Sequence, residues 1–513
     1  MKRILSILLL AAFILVLLTS CAADKNAAEP TADPTTSAKI NLAGTYNGTA
    51  SGYHGDVNVT VELDESGKIT SIQVKDNSET EGIGTVAVEN IPGKIVESKT
   101  LEVDSTSGAT VTSKAIIAAV ADALTGAGLD PALYGYTAAA AGHVEETYTI
   151  NPDAMPEKAE TTGTIVVKDA KGRDVTLDLP ISTYGVSTMD VIDYVIPLLG
   201  EDAFSKLVAS GQDGGGGIQT YSKLYTPIVG NYMEHTGQIS DHNAPFDLEM
   251  ILAMDPDVLI VNSAMSAHKY ALEIEDQLTE AGIPIVLIDV PGKSIDTSVQ
   301  DTLKLLGQIF QKEERAAEAA NFLDAQYELI NSKNLNDRTN KPTVYYEKSG
   351  YSEVYGSTSS SKSGWGALIS IAGGENIADP LLLDTASAQS GNNTLDPEYV
   401  LEADPEFVIL SGSGTGWMDN YPGSTPSVPE FDIVNRTGWS ELKAVKDGNV
   451  YELAHAMSRS IYGFYACLKM ASLFYPEEFS DVNPDAIMEE FFDRFMLVDS
   501  DVTGWFHSID EVN

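Results

Sequence analysis

The segment Asp104-Ser105-Thr106-Ser107-Gly108-Ala109-Thr110-Val111-Thr112-Ser113 sets hydroxyl residues and a glycine directly ahead of an Ala-rich, helix-favouring stretch. Such residues close the free N–H groups of a helix start, and the same groups, with the helix dipole, hold a phosphate. Spacing alone favours plain capping. A second set of chemically able side chains falls in loops near strand-like runs: Tyr184, Lys223, Tyr225, His242, His268, Tyr351, Trp365, Trp417 and Arg459. Arg459, in Met457-Ser458-Arg459-Ser460, offers a guanidinium that pairs with carboxylate or catecholate oxygens two bonds at a time. Trp365 and Trp417 lie in Gly/Ser-rich loops, where an indole can stack on a flat ligand. The histidines show no metal-site spacing, with neither His-Glu-x-x-His nor Cys-x-x-Cys, so bare zinc or manganese is not the expected ligand. Gly214–Gly217 lacks the Gly-Lys-Ser/Thr of a phosphate loop, and no Gly-x-Ser-x-Gly supports hydrolysis.

Alternating strands and helices must carry these groups from about Thr164 onward. Apolar runs recur at Val258–Val261, Ile285–Ile288, Thr343–Tyr346, Phe407–Leu410 and Val450–Leu453, with helical stretches between them. That order predicts parallel sheets covered by helices on both faces. Between Asp296 and Asn334 the pattern predicts one helix of almost forty residues, roughly 55 Å long, bracing two α/β lobes. The blocks Asp247-Leu248-Glu249 to Asp255-Pro256-Asp257 and Asp396-Pro397-Glu398 to Asp404-Pro405-Glu406 echo each other ahead of two strands, which suggests duplicated lobes. Before them, Val57–Leu63 and Ile69–Val74 read as strands, and 85–99 and 113–124 as helices, making a small α+β unit. Expected boundaries are a leader at 1–21, a tether at 22–41, the α+β unit at 42–129, a linker at 130–160, lobes at 161–294 and 337–513, and the bridging helix at 295–336.

Of 513 residues, 75 are acidic and 31 basic, giving a net charge of −44. That balance excludes a nucleic-acid partner, which needs Lys and Arg to displace counterions. Lys2 and Arg3 precede the apolar run Ile4–Leu18, too short to span a bilayer comfortably. The run ends in Leu18-Thr19-Ser20-Cys21, which resembles the bacterial lipobox and implies lipidation at Cys21. The other cysteine, Cys467, sits in an apolar stretch and is expected to be buried packing.

Gly52-Tyr53-His54-Gly55, Glu79-Thr80-Glu81-Gly82-Ile83-Gly84 and Ser107-Gly108-Ala109-Thr110 together resemble the FMN-binding domain family of sodium-pumping and related electron-transport complexes. The resemblance implies covalent FMN on Thr110 through a phosphoester, installed by a flavin transferase that uses FAD. Asp104, Ser107, Gly108 and Ala109 match the surrounding motif, while Glu81 stands where the family usually has Pro.

The hairpin-like Ile165–Leu177, the two Glu…Asp-Pro-strand blocks, Trp439 with Leu442–Tyr451, and Ser458–Phe479 follow the motif order of periplasmic binding proteins for iron-siderophores, haem and cobalamin. The resemblance implies two Rossmann-like lobes of the class III type, a ligand held between them, and an ABC permease with its ATPase as partner. It assigns Glu249 and Glu398 to permease docking, and it leaves Tyr184, Tyr225, His242, Trp365, Trp417 and Arg459 as ligand-cleft candidates. The expected protein is therefore extracytoplasmic and anchored in the cell membrane by lipid. It captures a ferric siderophore, haem or corrinoid, and the flavin is available to reduce the bound metal. The rival is an electron-transfer flavoprotein whose two lobes are a docking scaffold.

Overall fold

The computed structural model describes residues 42–51, 56–75, 79, 84–103, 105–106, 109–136, 150–211, 217–240, 244–265, 267–348, 355–388, 393–411, 431–502 and 504–511. Cys21, Asp104, Ser107, Gly108, His242, Tyr351 and Trp417 lie outside them.

The first unit is an antiparallel meander of β1 (Gly44–Ser51), β2 (Asp56–Leu63) and β3 (Ile69–Lys75), covered by α1 (Gly84–Ser98) and α2 (Thr110–Gly126). Period-two alternation in β2 turns Val57, Val59, Val61 and Leu63 inward. They meet Ile91 and Ile95 of α1 and Ile116, Val120 and Leu124 of α2, forming an apolar core separate from those of the lobes.

A two-stranded hairpin, β4 (Gly163–Lys168) with β5 (Asp174–Leu179), leads into the first lobe. Its elements are β6 (Tyr184–Val186), α3 (Ile192–Leu199), β7 (Leu207–Gly211), α4 (Gly217–Val229), β8 (Gly237–Ser240), α5 (Leu248–Met254), β9 (Leu259–Asn262), α6 (Ala267–Glu273), α7 (Glu275–Glu280) and β10 (Ile285–Ile288). The parallel sheet runs β10-β9-β6-β7-β8. The second lobe contains β11 (Thr343–Glu347), α10 (Gly364–Ile371), β12 (Glu375–Asn376), α11 (Pro397–Ala403), β13 (Phe407–Leu410), β14 (Val450–Leu453), α12 (Gly463–Phe474), α13 (Pro484–Phe495) and β15 (Phe506–Ser508), in the order β12-β11-β13-β14-β15. Only β15 is antiparallel to its neighbour.

The connection between lobes differs from the single helix expected. It is two helices, α8 (Ile295–Ile309) and α9 (Glu313–Ser332), folded back on each other. The turn closes with Lys312 N–H donating to Gly307 O at 2.7 Å, and Gln311 takes the left-handed conformation at φ 55°. A straight helix would expose the apolar stripes of both halves. Folding back lets Leu303 and Leu306 bury with Ala316, Ala319, Ala320 and Leu323. Gly307 permits the approach, because a Cβ there would lie 2.5 Å from that of Ala316. The hairpin shares one continuous core with both lobes, and Arg315 reaches Pro197 O (2.9 Å) in the first and Arg494 O in the second.

The linker expected at 130–160 is structured at both ends. Leu101 N–H donates to Tyr134 O (2.6 Å), holding one end on the α+β unit, and Lys158 pairs with Asp255 (2.8 Å) and Asp257 (3.2 Å) of the first lobe. Cys467 is fully buried in α12. Among the described residues, no helix is long and apolar enough to cross a membrane.

The second lobe hangs on a buried ion pair. Arg436 donates to both oxygens of Glu347, at 2.8 and 2.7 Å, and the two side chains are 3% and 0% exposed. Tyr345 Oη (2.6 Å) and Gly356 N–H (2.8 Å) complete the carboxylate's partners. Replacing Arg436 with Met leaves the Glu347 charge buried without its counterion. Urea unfolding should show a loss of about 3–5 kcal/mol. A loss under about 1 kcal/mol would reduce the pair to the standing of an exposed one.

Candidate functional site

Two places on the molecule collect the chemistry. The first is the start of α2. The helix begins at Thr110, and the cap position is Ala109, whose side chain cannot accept from the first N–H groups. Capping by the preceding hydroxyls at that position is therefore not realised. Ser113 instead ties the loop down, accepting from Thr106 N–H at 2.9 Å and donating to Ala109 O at 2.8 Å. A helix start without a side-chain cap at this position fits a phosphodiester, whose remaining charge the dipole favours. Glu79 comes to the same spot and accepts a short hydrogen bond from the Thr112 hydroxyl. Two of the quoted sequence motifs thus meet in space.

Glu249, in the first turn of α5, also reaches this spot. Its Oε1 accepts from Gly84 N–H at 3.2 Å, and its Oε2 lies 3.5 Å from the Thr112 oxygen, whose proton goes to Glu79. It is only 3% exposed. The docking assignment expects an exposed carboxylate here, and the structure covers it with the α+β unit. Glu398, at the echoed position in α11, is exposed.

The second place is the space between the lobes. In each sheet the strand order reverses at one point, and loops diverging there leave a crevice beyond the strand ends. In the first lobe this falls between β6 and β9, bordered by Ser187, Thr188 and Asn262. Ser187 Oγ accepts from Asn262 N–H (3.1 Å), and Asn262 Oδ1 accepts from Val290 N–H (3.1 Å), which fixes these ends. The Thr188 hydroxyl is buried and has no partner among the described residues.

In the second lobe the reversal falls between β11 and β13, bordered by Lys348 and Ser411, with His455 beyond β14. Ser411 Oγ lies 2.8 Å from Tyr346 Oη and 2.9 Å from His455 Nδ1. Burial, then the charges of Lys348 and Arg459, depress the His455 pKa to about 3. The imidazole is thus neutral at pH 7. Arg459 is half-buried, and Tyr194 of α3 donates to its carbonyl at 3.2 Å across the lobes. Behind it, burial pushes the Asp193 carboxyl well up, opposed by a 2.8 Å hydrogen bond from Tyr221.

Of the cleft candidates, Arg459 falls in the turn after β14, one turn on from His455. Tyr184 is not, since its ring is fully buried against Phe310 and its hydroxyl donates to Ala203 O at 2.6 Å. Tyr225 is fully buried beside Phe204 and Tyr221. Trp365 is 1% exposed, stacks on Tyr346 and donates to His455 O at 3.3 Å. These aromatics are core, because a large ring gains more from burial than from a loop surface. Lys223 is exposed on α4, and His268 is half-buried on α6. Lys348, Ser411 and His455 are absent from the sequence candidates. The available signal is position, each following a strand-like run by one or two residues.

The model of the FMN-binding domain family matches residues 52–125, and that of the periplasmic binding protein family matches 222–456. Over 292 residues the chain is 22% identical to the molybdate-binding protein MolA of Haemophilus influenzae, covering 52% of this chain and 75% of that protein. Over 86 residues it is 41% identical to an NADH:acrylate oxidoreductase of Vibrio harveyi, which is 17% of this chain and 8% of the oxidoreductase. The likeness to that enzyme is thus confined to a small part of it. The TroA-like periplasmic binding protein FepB from Veillonella parvula superposes with a TM-score of 0.56 at 25% identity, covering 67% of this chain and 99% of that one.

The neutral His455 gives a pH test. Its folded pKa of about 3 lies below the ordinary 6.5, so the unfolded chain binds more protons between those values. Stability therefore falls as pH drops from 6.5 towards 3, by up to roughly 3 kcal/mol at pH 4. Urea unfolding at pH 7 and pH 4.5 should show a smaller loss in His455→Gln than in wild type. Equal losses would mean that His455 is protonated in the fold.

Proposed function

We propose, for a chain that is an FMN-binding domain fused to a class III periplasmic binding protein, that it is the lipid-anchored receptor of an ABC importer for an anionic, metal-bearing solute. The observation that carries this reading is the placement of Lys348, Ser411 and His455 just past the C-terminal ends of β11, β13 and β14, with Arg459 one turn on from His455. In a molecule of net charge −44, a local cluster of this kind draws an anion into the cleft. Arg459 binds paired oxygens, Lys348 supplies a point charge, and Thr188 offers a hydroxyl from the opposite lobe. Ferric catecholates and haem carry such oxygens, and a corrinoid carries a phosphate. The likeness to a molybdate-binding protein favours a bare oxyanion as the second reading.

Anchoring through Cys21 and covalent FMN on Thr110 complete the proposal. Bound FMN supplies one- or two-electron transfer. This chain's contribution is to seat the phosphodiester at the start of α2 and to hold that helix start against Glu249. Helix α5 leaves the C-terminal edge of the first sheet, the same edge that borders the cleft. An electron carrier at that edge suits reduction of a captured ferric chelate, since Fe(II) is held less tightly than Fe(III) by hard oxygen donors.

A thermal-shift series with a ferric catecholate, haemin, cyanocobalamin and sodium molybdate tests the cleft. One of them should raise Tm by several degrees at about 100 times Kd, and Arg459→Ala should weaken it about tenfold, as expected for a charge-assisted bond. No shift with any of the four sinks the receptor reading. Intact mass after coexpression with a flavin transferase tests Thr110. The wild type should carry one FMN by phosphoester and Thr110→Ala none, and an unmodified wild type rejects the attachment.

A further inference from the structure

We infer that the flavin domain is a removable cap over the docking helix of the first lobe, and that Glu249 is the residue it withholds. The inference rests on the reading of Glu249 as a permease contact. Helices α5 and α11 are close structural copies. Each has seven residues and carries its glutamate in the first turn. Each is capped by an aspartate, with Asp247 accepting from Met250 N–H at 3.0 Å and Asp396 from Glu398 N–H at 2.8 Å. Each ends on a left-handed aspartate, Asp255 at φ 45° and Asp404 at φ 39°. Two helices built alike nevertheless present their glutamates oppositely, one buried and one exposed.

The flavin domain supplies a direct partner to the buried one. Gly84 N–H opens α1 and points the positive end of that helix at Glu249, and the Thr112 oxygen packs 3.5 Å from it. Gly84 is needed for this approach. A Cβ at that position would stand 3.1 Å from Glu249 Oε1 and 2.8 Å from Glu79 Cβ. The contact is also of a releasable kind. The flavin domain and the lobe keep separate apolar cores, and the Gly84 bond to Glu249, at 3.2 Å, is long. A cationic pocket on the permease needs the same carboxylate, so cap and permease exclude one another. Thr110, the expected flavin carrier, is two residues ahead of Thr112 in the first turn of α2.

Carboxyl footprinting of the full chain with a carbodiimide and glycine ethyl ester, read by mass spectrometry, tests the cap. In wild type, Glu249 should react about tenfold more slowly than Glu398, as a group reached only through local opening does. Gly84→Leu, which wedges the interface, should equalise them. Gly84→Ala, whose Cβ would stand 3.1 Å from Glu249 Oε1, is the second variant should the first not fold. Equal reactivity in wild type overturns the cap, and so does protection that survives in both variants. With the permease and ATPase in liposomes, Gly84→Leu should stimulate ATP hydrolysis at about tenfold lower concentration than wild type, if about a tenth of the wild type is open. Identical half-maximal concentrations overturn the gating role. Full stimulation by Glu249→Arg would instead remove the docking reading and leave the footprint standing.

Discussion

The antiparallel packing of α8 on α9 fixes the relation of the two lobes, and the cleft follows from it. Both helices sit in the same apolar core as α3 of the first lobe and α12 and α13 of the second. Opening the lobes widely would expose part of that core, at about 25 cal/mol for each Å² of apolar surface. Arg315, bonded to backbone carbonyls on both sides, adds a polar tie. Capture therefore relies on groups already in place rather than on large closure. That condition explains why Ser187, Asn262 and Ser411 are held so closely by strand-end hydrogen bonds.

Strand and helix positions were largely readable from residue patterns. Runs such as Ile285–Ile288 and Phe407–Leu410 are strands at those bounds, because a fully buried parallel strand must be apolar on both faces. Tyr184–Val186 and Gly237–Ser240 escaped notice because three or four residues with Gly, Gln or Ser carry no such signal. The break at Gln311 was hidden for a different reason. Gly307-Gln308-Ile309-Phe310-Gln311-Lys312 keeps helical spacing, and only the tertiary gain from folding back selects the turn.

Site residues were less legible than the fold. Aromatics in loop-like sequence suggest ligand contacts, yet Tyr184, Tyr225 and Trp365 are core, because sequence does not say which side of a loop a ring will take. His455 matters through its own burial and the charges of Lys348, distant in sequence, and the nearer Arg459, which no local window shows. Arg459 stands out in the sequence because it follows a strand-like run and its guanidinium can pair with two oxygens at once. The coverage of Glu249 needed two distant segments, Gly84 and Thr112, to converge on it.

The ends of the interdomain segment carry a further consequence. Tyr134 is pinned to the flavin domain, and Asn151 N–H donates to Glu234 O of the first lobe at 2.7 Å, so residues 137–149 and their immediate flanks alone separate the anchored points. A connection that short keeps one body in the other's vicinity at an effective concentration on the order of millimolar. Mass action then favours reunion even when the affinity of the isolated pieces is feeble. Any competitor arriving from the membrane faces an intramolecular rival that dilution cannot remove.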